Sequence, residues 1–299
     1  NTFGANRRKL ATHYLEDEVE NINSTGVKLA REAREIAGRD VFIAGSIGPT
    51  TKQTAISTKV DDPAFRATTF DEMAESYYAQ VAALVEAGVD ILMPETVIDT
   101  LNLKACLFAI QRYFDETGAR VPVMVSGTFD KGGATFVSGQ SIEAFWNAVS
   151  HFPMLSVGMN CALGPDVMRP HIEALSQVAP VRISCHPNAG LPNEMGLFDL
   201  GPDAMARMVG EYADNGWVNI LGGCCGTTPA HIAAISRRLA KLKPHKRVKA
   251  APWLRLSGTL PMTLRPESNF LMVGERTNVT GSKKFAKLIK GEHYEEAIE

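Results

Sequence analysis

The stretch WVNILGGCCGTTPAHI, residues 217–232, passes from an apolar run through two glycines into a pair of adjacent cysteines. Its first part, 217–225, is nearly continuous in apolar character, which is typical of a parallel strand buried on both faces. Thr228 and Pro229 then place a capping hydroxyl before a proline at the first helical position. The stretch therefore predicts one strand–loop–helix unit, with the two cysteines at the end of the strand.

The same pattern occurs earlier in the chain. Apolar, β-branched runs that predict strands alternate with amphipathic stretches that predict helices; the runs are 40–48, 88–95, 122–129, 155–161 and 180–187. Consecutive βα units give a parallel sheet, either a (β/α) barrel or a doubly wound sheet. No G-x-G-x-x-G or Walker sequence follows any of these strands, which weighs against a nucleotide-binding doubly wound fold.

Several polar residues mark predicted helix starts. Thr69 and Glu72 fit a capping box ahead of a helix from about 70 to 87. Acidic side chains that can accept backbone N–H bonds precede the helical stretches that follow three of the strands. These predicted N-caps are Asp99, Asp166 and Asp203.

Composition narrows the class of protein. The chain has 299 residues, 45% of them hydrophobic, with a formal net charge of −2 and few aromatic residues, which leaves no footprint for nucleic acid. Apolar runs are too short to predict a membrane span, and the polar N-terminus does not resemble a secretory signal. The five cysteines are an odd number, which favours reduced thiols and a cytoplasmic location.

After residue 242 the alternation of predicted strands and helices stops, and the sequence becomes rich in proline and basic residues. We expect a first domain over 1–242, a linker rich in proline and basic residues over 243–268, and the beginning of a second α/β domain over 269–299. A strand is expected at 270–278, followed by helix. The chain begins without methionine at Asn1, and a barrel needs eight strands where six are visible. We therefore expect the missing strands to precede Asn1.

Reactive side chains collect at the predicted strand ends, where parallel βα folds place their chemistry. Cys161 ends one strand, and Cys224 and Cys225 end another. Three thiolates with an open fourth position are suited to a catalytic zinc ion. A strained vicinal disulfide and inert buried thiols remain alternatives. Cys185 or His186 could supply a fourth ligand, although adjacent strand residues point to opposite faces.

The segments NCALGPD (160–166), HPNAGLPN (186–193) and GGCCGTTPAHI (222–232) resemble the homocysteine-binding domain of cobalamin-dependent methionine synthases, within the wider homocysteine S-methyltransferases. AGSIGPT (44–50) and ETVIDTLNLKA (95–105) extend the similarity. Beyond the linker, NFLMVGERTNVTGSKKF (269–285) resembles the start of the methyltetrahydrofolate-binding, or pterin-binding, domain of the same enzymes.

This resemblance implies a (β/α)8 TIM-type barrel whose first strand and most of whose second lie before Asn1, followed by the start of a second barrel. It implies that Cys161, Cys224 and Cys225 bind zinc. By the same resemblance, Glu95 holds the homocysteine amino group, with a salt bridge or helix cap as the alternative. Asn188 approaches zinc when substrate is absent, or only scaffolds its loop. Asn278 is expected at the pterin site.

The implied reaction is methyl transfer to the zinc-bound thiolate of homocysteine, giving methionine. The donor would be methylcobalamin, recharged from 5-methyltetrahydrofolate, with both cofactors held by other domains of the same polypeptide. A homocysteine methyltransferase that uses betaine or S-methylmethionine is the first alternative, and a non-catalytic zinc scaffold is the second. The long loop over 46–69 is expected to close over homocysteine. Asn160 and Gly164 are expected to shape the Cys161 loop.

Overall fold

Six parallel strands follow one another in chain order at the centre of the first part of the molecule. They are β1 (Ala44–Ile47), β2 (Ile91–Pro94), β3 (Met124–Gly127), β4 (Ser156–Asn160), β5 (Arg182–His186) and β6 (Ile220–Leu221). The computed structural model describes residues 1–272, 274 and 278–298. All six strands predicted from the sequence are confirmed, but most are about half the predicted length and β6 has only two residues.

The strands pair with their neighbours in sequence. One sheet has the order β3-β4-β5-β6, and β1 pairs with β2. Parallel bridges from Leu92 to Val123 and from Val97 to Gly127 join the two sets. Before β1, the carbonyl of Phe3 accepts the N–H of Gly48 at 2.8 Å. Within the described ranges no pairing joins β6 back to β1, so the parallel α/β arrangement is confirmed and closure into an eight-stranded barrel stays a prediction.

Helices separate the strands and cover the sheet. They are α1 (Arg7–Leu10), α2 (Val19–Ala37), α3 (Phe70–Glu86), α4 (Thr100–Thr117), α5 (Ile142–Val149), α6 (Pro165–Val178), α7 (Pro202–Asp214) and α8 (Pro229–Leu239), with a 3-10 turn at Ala11–His13. None of the helices in the described part of the chain is both long and apolar enough to cross a bilayer.

The predicted caps are partly confirmed. Thr69 and Glu72 form the capping box of α3, and the Asp99 carboxylate accepts backbone N–H groups at the start of α4. The prediction is wrong for Asp166 and Asp203. In α6 and α7 a proline occupies the first helical position and a glycine is the N-cap, so each aspartate lies inside the first turn. There it faces the positive end of the helix dipole without capping it.

Side chains alternate across the strands, as the pleat requires. On β5, the Cys185 Sγ lies 3.7 Å from the Met168 Sδ of α6, so it faces the helices. The neighbouring His186 faces the other way, towards Gly222. Cys106 of α4 is buried in the core, and burial raises the pKa of its thiol. These alternating directions decide which strand-end residues meet at the site.

The segment expected to be a linker contains regular structure. Two strands, β7 (Leu254–Ser257) and β8 (Pro261–Leu264), form a two-stranded sheet within it. The N–H of Ser141, which caps α5, donates to the Thr259 carbonyl at 2.9 Å. Every residue of the two strands is half-buried or exposed, and the two leucines of β7 are on its exposed side.

The chain divides into two compact units, Asn1–Thr263 and Leu264–Glu299. The second contains α9 (Lys283–Lys290) and α10 (Tyr294–Ile298), which confirms the expected helix. The strand expected at 270–278 falls partly on residues 273 and 275–277, which lie outside the described residues, and 270–272, 274 and 278 are not in a strand. The assignment of 269–299 to a pterin-binding domain stays a prediction.

Candidate metal centre and substrate site

Three cysteines from two strand ends meet in one place. The Cys225 Sγ lies 3.7 Å from the Cys161 Sγ and 3.9 Å from the Cys224 Sγ, and all three sulfurs lie within 4.8 Å of one another. Tetrahedral zinc with Zn–S bonds of about 2.3 Å separates its sulfur ligands by roughly 3.8 Å. The cluster therefore has the spacing and the donor chemistry of a three-thiolate zinc site.

The loop after β4 aims Cys161 through an unusual backbone. Cys161 and Ala162 have φ of 65° and 62°, the left-handed region that residues with a Cβ seldom adopt. The N–H of Cys161 still continues the sheet by donating to the His186 carbonyl at 3.2 Å. The chain therefore turns sharply as soon as β4 ends, and the Cys161 side chain faces the β6 loop.

The loop after β6 presents its cysteines with the help of glycine. Gly226 has φ of 79°, and a Cβ there would overlap Phe198. The N–H of Cys224 donates to the Pro187 carbonyl at 2.8 Å. Because this bond holds the loop against the end of β5, both cysteines remain beside Cys161. Cys224 is half-buried and Cys225 is exposed, which leaves one side of the cluster open for a ligand.

Asn188 ties the two cysteine loops together. Its side-chain Oδ1 accepts the N–H of Cys225 at 3.1 Å, and its backbone N–H donates to the Leu163 carbonyl at 3.0 Å. These contacts fit the scaffolding role weighed for Asn188, and they also place its amide against the metal cluster.

The three thiols of the cluster differ in pKa. Hydrogen bonds from the Cys224 thiol first, and then from the Ala162 backbone and the Cys225 thiol, lower the pKa of Cys161 to about 5. Donation to Cys161 raises the pKa of Cys224, and burial raises that of Cys225. Cys161 is therefore a thiolate at neutral pH, so the cluster carries a negative charge that attracts a cation.

Glu95 follows β2 and lies beside the same cluster. Its Oε1 accepts the Ser46 hydroxyl and its Oε2 accepts the Asn160 Nδ2 at 3.1 Å. Burial, opposed by the bond from Ser46, raises the pKa of this carboxyl, and the negative charge of Cys161 raises it further. Asn160 Nδ2 also approaches the Cys224 Sγ at 4.0 Å, so one amide connects the carboxyl with the thiol cluster.

Other residues considered from the sequence lie elsewhere. In the part of the chain that the structure describes, the cluster of three or more potential metal ligands comprises Cys161, Cys224 and Cys225 alone. Cys185 faces α6, and neither Cys185 nor His186 belongs to the cluster. Burial lowers the pKa of His186 to about 4. The Asn278 Oδ1 accepts N–H groups of Thr280 and Gly281 in a local turn of the second unit.

The long loop after β1, which runs from 48 to 69, is anchored to Asp99 at residues 54 and 55, about a third of the way along it. The Asp99 Oδ2 accepts the N–H groups of Thr54 and Ala55, each at 3.0 Å, while its Oδ1 caps α4. Sequence reasoning gave Asp99 only the capping role. Closure of this loop over a ligand stays a prediction, and any movement would be centred away from Thr54 and Ala55.

Two contributors to the site were missed. Ser46 at the end of β1 donates to Glu95, and Thr96 adopts φ of 54° directly after Glu95. A positive φ at a β-branched residue has no local sequence signal. The signal for Ser46 was available, since a polar residue in a buried strand end of a parallel sheet lies where ligands bind.

The fold and the site together define a class of protein: a parallel βα domain with a cluster of three thiols at the ends of its strands. A family model described as homocysteine S-methyltransferase matches residues 1–239. The chain belongs to the homocysteine S-methyltransferase family. The resemblance predicted from the sequence is thus confirmed at the level of the family and of methyl transfer to homocysteine.

Solved structures of the homocysteine methyltransferase MmuM from Escherichia coli share this fold. The oxidized form is 20% identical, with a TM-score of 0.62 over 79% of this chain and 77% of that chain. The metallated form has the same identity and coverage, with a TM-score of 0.61. The apo form gives a TM-score of 0.56 at 20% identity, with 74% of each chain covered.

Proposed function

We propose that this chain is the homocysteine-binding domain of a cobalamin-dependent methionine synthase, followed by the start of its pterin-binding domain. The reaction is methyl transfer to the sulfur of homocysteine, giving methionine. The observation that carries the proposal is the convergence of three cysteine sulfurs, at the spacing of a zinc site, beside a half-buried carboxyl in a member of this family.

Cys161, Cys224 and Cys225 would hold the metal, and their all-thiolate donor set fits zinc. Bound there, zinc would lower the pKa of the homocysteine thiol and hold its sulfur as the fourth ligand. Glu95 would accept the ammonium group of the substrate. The sulfur would form its bond to the methyl carbon as the bond from that carbon to the donor breaks. The bonding electron pair would leave with the donor, and the thiol proton would pass to solvent.

Methylcobalamin, recharged from 5-methyltetrahydrofolate, is the donor that we infer, held by other domains of the same polypeptide. The support is the resemblance of 269–285 to a pterin-binding domain, where Asn278 would face the pterin. We also infer an eight-stranded barrel, supported by the sequential parallel order of β1 to β6. Free thiols at all five cysteines support a cytoplasmic location.

A homocysteine methyltransferase that uses betaine or S-methylmethionine is the second candidate. It is favoured by the similarity of the fold to MmuM, whose structures cover most of the first unit. It offers no role for the segment 269–285, because such enzymes need no pterin domain. A zinc scaffold without catalysis would bind the metal but would not bind homocysteine.

Zinc content, homocysteine binding and donor use test the proposal. We expect the zinc-loaded protein to hold one zinc per chain, bind homocysteine by calorimetry and accept a methyl group from methylcobalamin but not from betaine. Cys224→Ala is expected to lose zinc and homocysteine together, while Cys106→Ala, a core substitution, keeps both. Binding of zinc and homocysteine by Cys224→Ala at the level of the unsubstituted protein would refute the role of the cluster.

A further inference from the structure

One buried amide organises the substrate side of the site. Asn160, the last residue of β4, is 1% exposed. Its Oδ1 accepts the Thr96 N–H at 3.0 Å and the Ser126 hydroxyl at 2.6 Å. Its Nδ2 donates to the Glu95 Oε2 at 3.1 Å and to the Thr96 Oγ1 at 2.8 Å. The amide orientation follows from chemistry, because a backbone N–H only donates and a carboxylate only accepts.

The same amide holds a strained backbone in place. Thr96 has φ of 54° and Cys161 has φ of 65°, conformations that residues with a Cβ keep only where surrounding contacts enforce them. Thr96 follows Glu95 directly and is bonded to Asn160 through both its N–H and its hydroxyl. Cys161 follows Asn160 directly. Asn160 therefore lies between the two turns that aim the carboxyl and one of the sulfurs.

Both oxygens of Glu95 already have donors. Ser46 holds Oε1 and Asn160 holds Oε2, so the plane of the carboxylate is fixed from both sides. A fixed carboxylate binds an ammonium group without first losing its rotational freedom, and that advantage appears as affinity. Without the Asn160 donor, the half-buried carboxyl would lose a hydrogen bond and the orientation that this bond gives it.

We propose that Asn160 is a positioning residue for the ammonium group of the amino-acid substrate, acting through Glu95. The inference rests on the proposed function and extends it, because it assigns the choice of an α-amino thiol over a simple thiol to the Glu95–Asn160 pair. The cysteine cluster recognises the sulfur, and this pair recognises the amino group at the other end of the ligand.

The test compares two ligands that differ only at the amino group. Homocysteine and 4-mercaptobutyrate, which lacks the amino group, are titrated calorimetrically into zinc-loaded unsubstituted protein and into Asn160→Asp, with zinc per chain measured for both. Asn160→Asp keeps the acceptor for Thr96 and Ser126 but replaces the donor to Glu95 with an acceptor. We expect homocysteine affinity to fall about tenfold or more, as for a lost charge-assisted hydrogen bond, while 4-mercaptobutyrate affinity and zinc content change less than about twofold.

A double-mutant cycle identifies the route. In a Glu95→Gln background we expect Asn160→Asp to cause no more than about a twofold further loss of homocysteine affinity, because the group it positions is gone. Equal losses for both ligands, or an undiminished effect in that background, would overturn the inference and leave the proposed function standing. Failure of the unsubstituted protein to bind zinc or homocysteine would instead refute the proposed function.

A second variant covers the case in which Asn160→Asp does not fold. Ser126→Ala removes one of the two donors to the Asn160 Oδ1 and touches neither Glu95 nor the cysteines through any hydrogen bond within the described residues. We expect a smaller loss, about two- to fivefold, again confined to homocysteine. Unchanged homocysteine binding in this variant, or parallel weakening of both ligands, would contradict the positioning role.

Discussion

The loops after β4 and β6 reach the same cysteine cluster with different kinds of residue at positive φ. The β4 loop places Cys161 and Ala162 in the left-handed region, with φ of 65° and 62°, although both carry a Cβ. The β6 loop assigns its positive φ of 79° to Gly226, where a side chain would overlap Phe198. The β4 loop has a backbone conformation that its residues disfavour, whereas the β6 loop has one that its glycine readily adopts.

The difference shows where each loop obtains its shape. Glycine adopts a positive φ without steric cost, so the β6 loop is encoded in its own sequence. The β4 loop depends on bonds from other elements, among them those of the Asn160 side chain to Thr96 and Ser126. Strained backbone of this kind persists only where the surrounding structure enforces it.

Removal of a thiol from either loop should have the largest effect. Cys161→Ala and Cys225→Ala each leave two protein sulfurs, so we expect zinc affinity to fall more than about 100-fold, beyond the 10- to 100-fold typical of residues that only support a ligand. Competition with a chromophoric chelator measures it. Cys185→Ala, a thiol that faces α6, is the control and should keep zinc. Retention of tight zinc by either loop variant would show that its loop is dispensable.

Substitution of the β6 loop glycine should have the next largest effect. Gly226→Ala adds a Cβ at positive φ against Phe198, and we expect about 2–4 kcal/mol of lost stability from strain and overlap together. Gly216→Ala is matched, because φ there is 70° and nothing lies within 4 Å of the added Cβ; it should cost only about 1–2 kcal/mol. Denaturant unfolding of the zinc-free proteins measures both. Equal losses would mean that Phe198 yields without cost.

A titration tests the contact between the loops. In zinc-free protein, Cys161 should be a thiolate at neutral pH and take up a proton as the pH falls through about 5. Cys224→Ala removes the neighbour that lowers the pKa of Cys161 most, so the midpoint should rise towards the ordinary thiol value of about 8.5. The ultraviolet absorbance of the thiolate follows the change. A midpoint that does not move in Cys224→Ala would place the stabilising charge or donor elsewhere.

The smallest expected effect is a gain in stability. Ala162→Gly relieves the left-handed conformation, for which we expect about 0.5–1 kcal/mol of added stability after the entropy cost of glycine in the unfolded chain. Ala30→Gly, inside helix α2, is the opposite control and should lose about 0.5–1 kcal/mol. Thermal unfolding compares the two. A destabilised Ala162→Gly would mean that the β4 loop is not strained at this position.

Most of the strands and several of the helix starts could be predicted from the sequence. Each strand is a short apolar run and each connecting helix has its own start signal, so local pattern sufficed for β1 to β6 and for the Thr69 and Asp99 caps. The proline at the first position of α6 and α7 carried the start signal that was assigned to Asp166 and Asp203. The sheet of β7 and β8 was missed because its two four-residue strands lie in a proline-rich, basic segment that indicated a linker.

The site, like the scaffold, has features that the sequence predicted and features that only the tertiary structure shows. The sequence alone determined that Cys161, Cys224 and Cys225 stand at strand ends, because parallel strands in consecutive βα units bring their carboxyl ends to one edge of the sheet. Only the tertiary structure decided that Ser46 and Asn160 orient Glu95, since these bonds join residues 49 and 65 positions apart in the chain. Hydrogen-bond geometry over such separations, and the left-handed turns that produce it, depend on packing that no local pattern records.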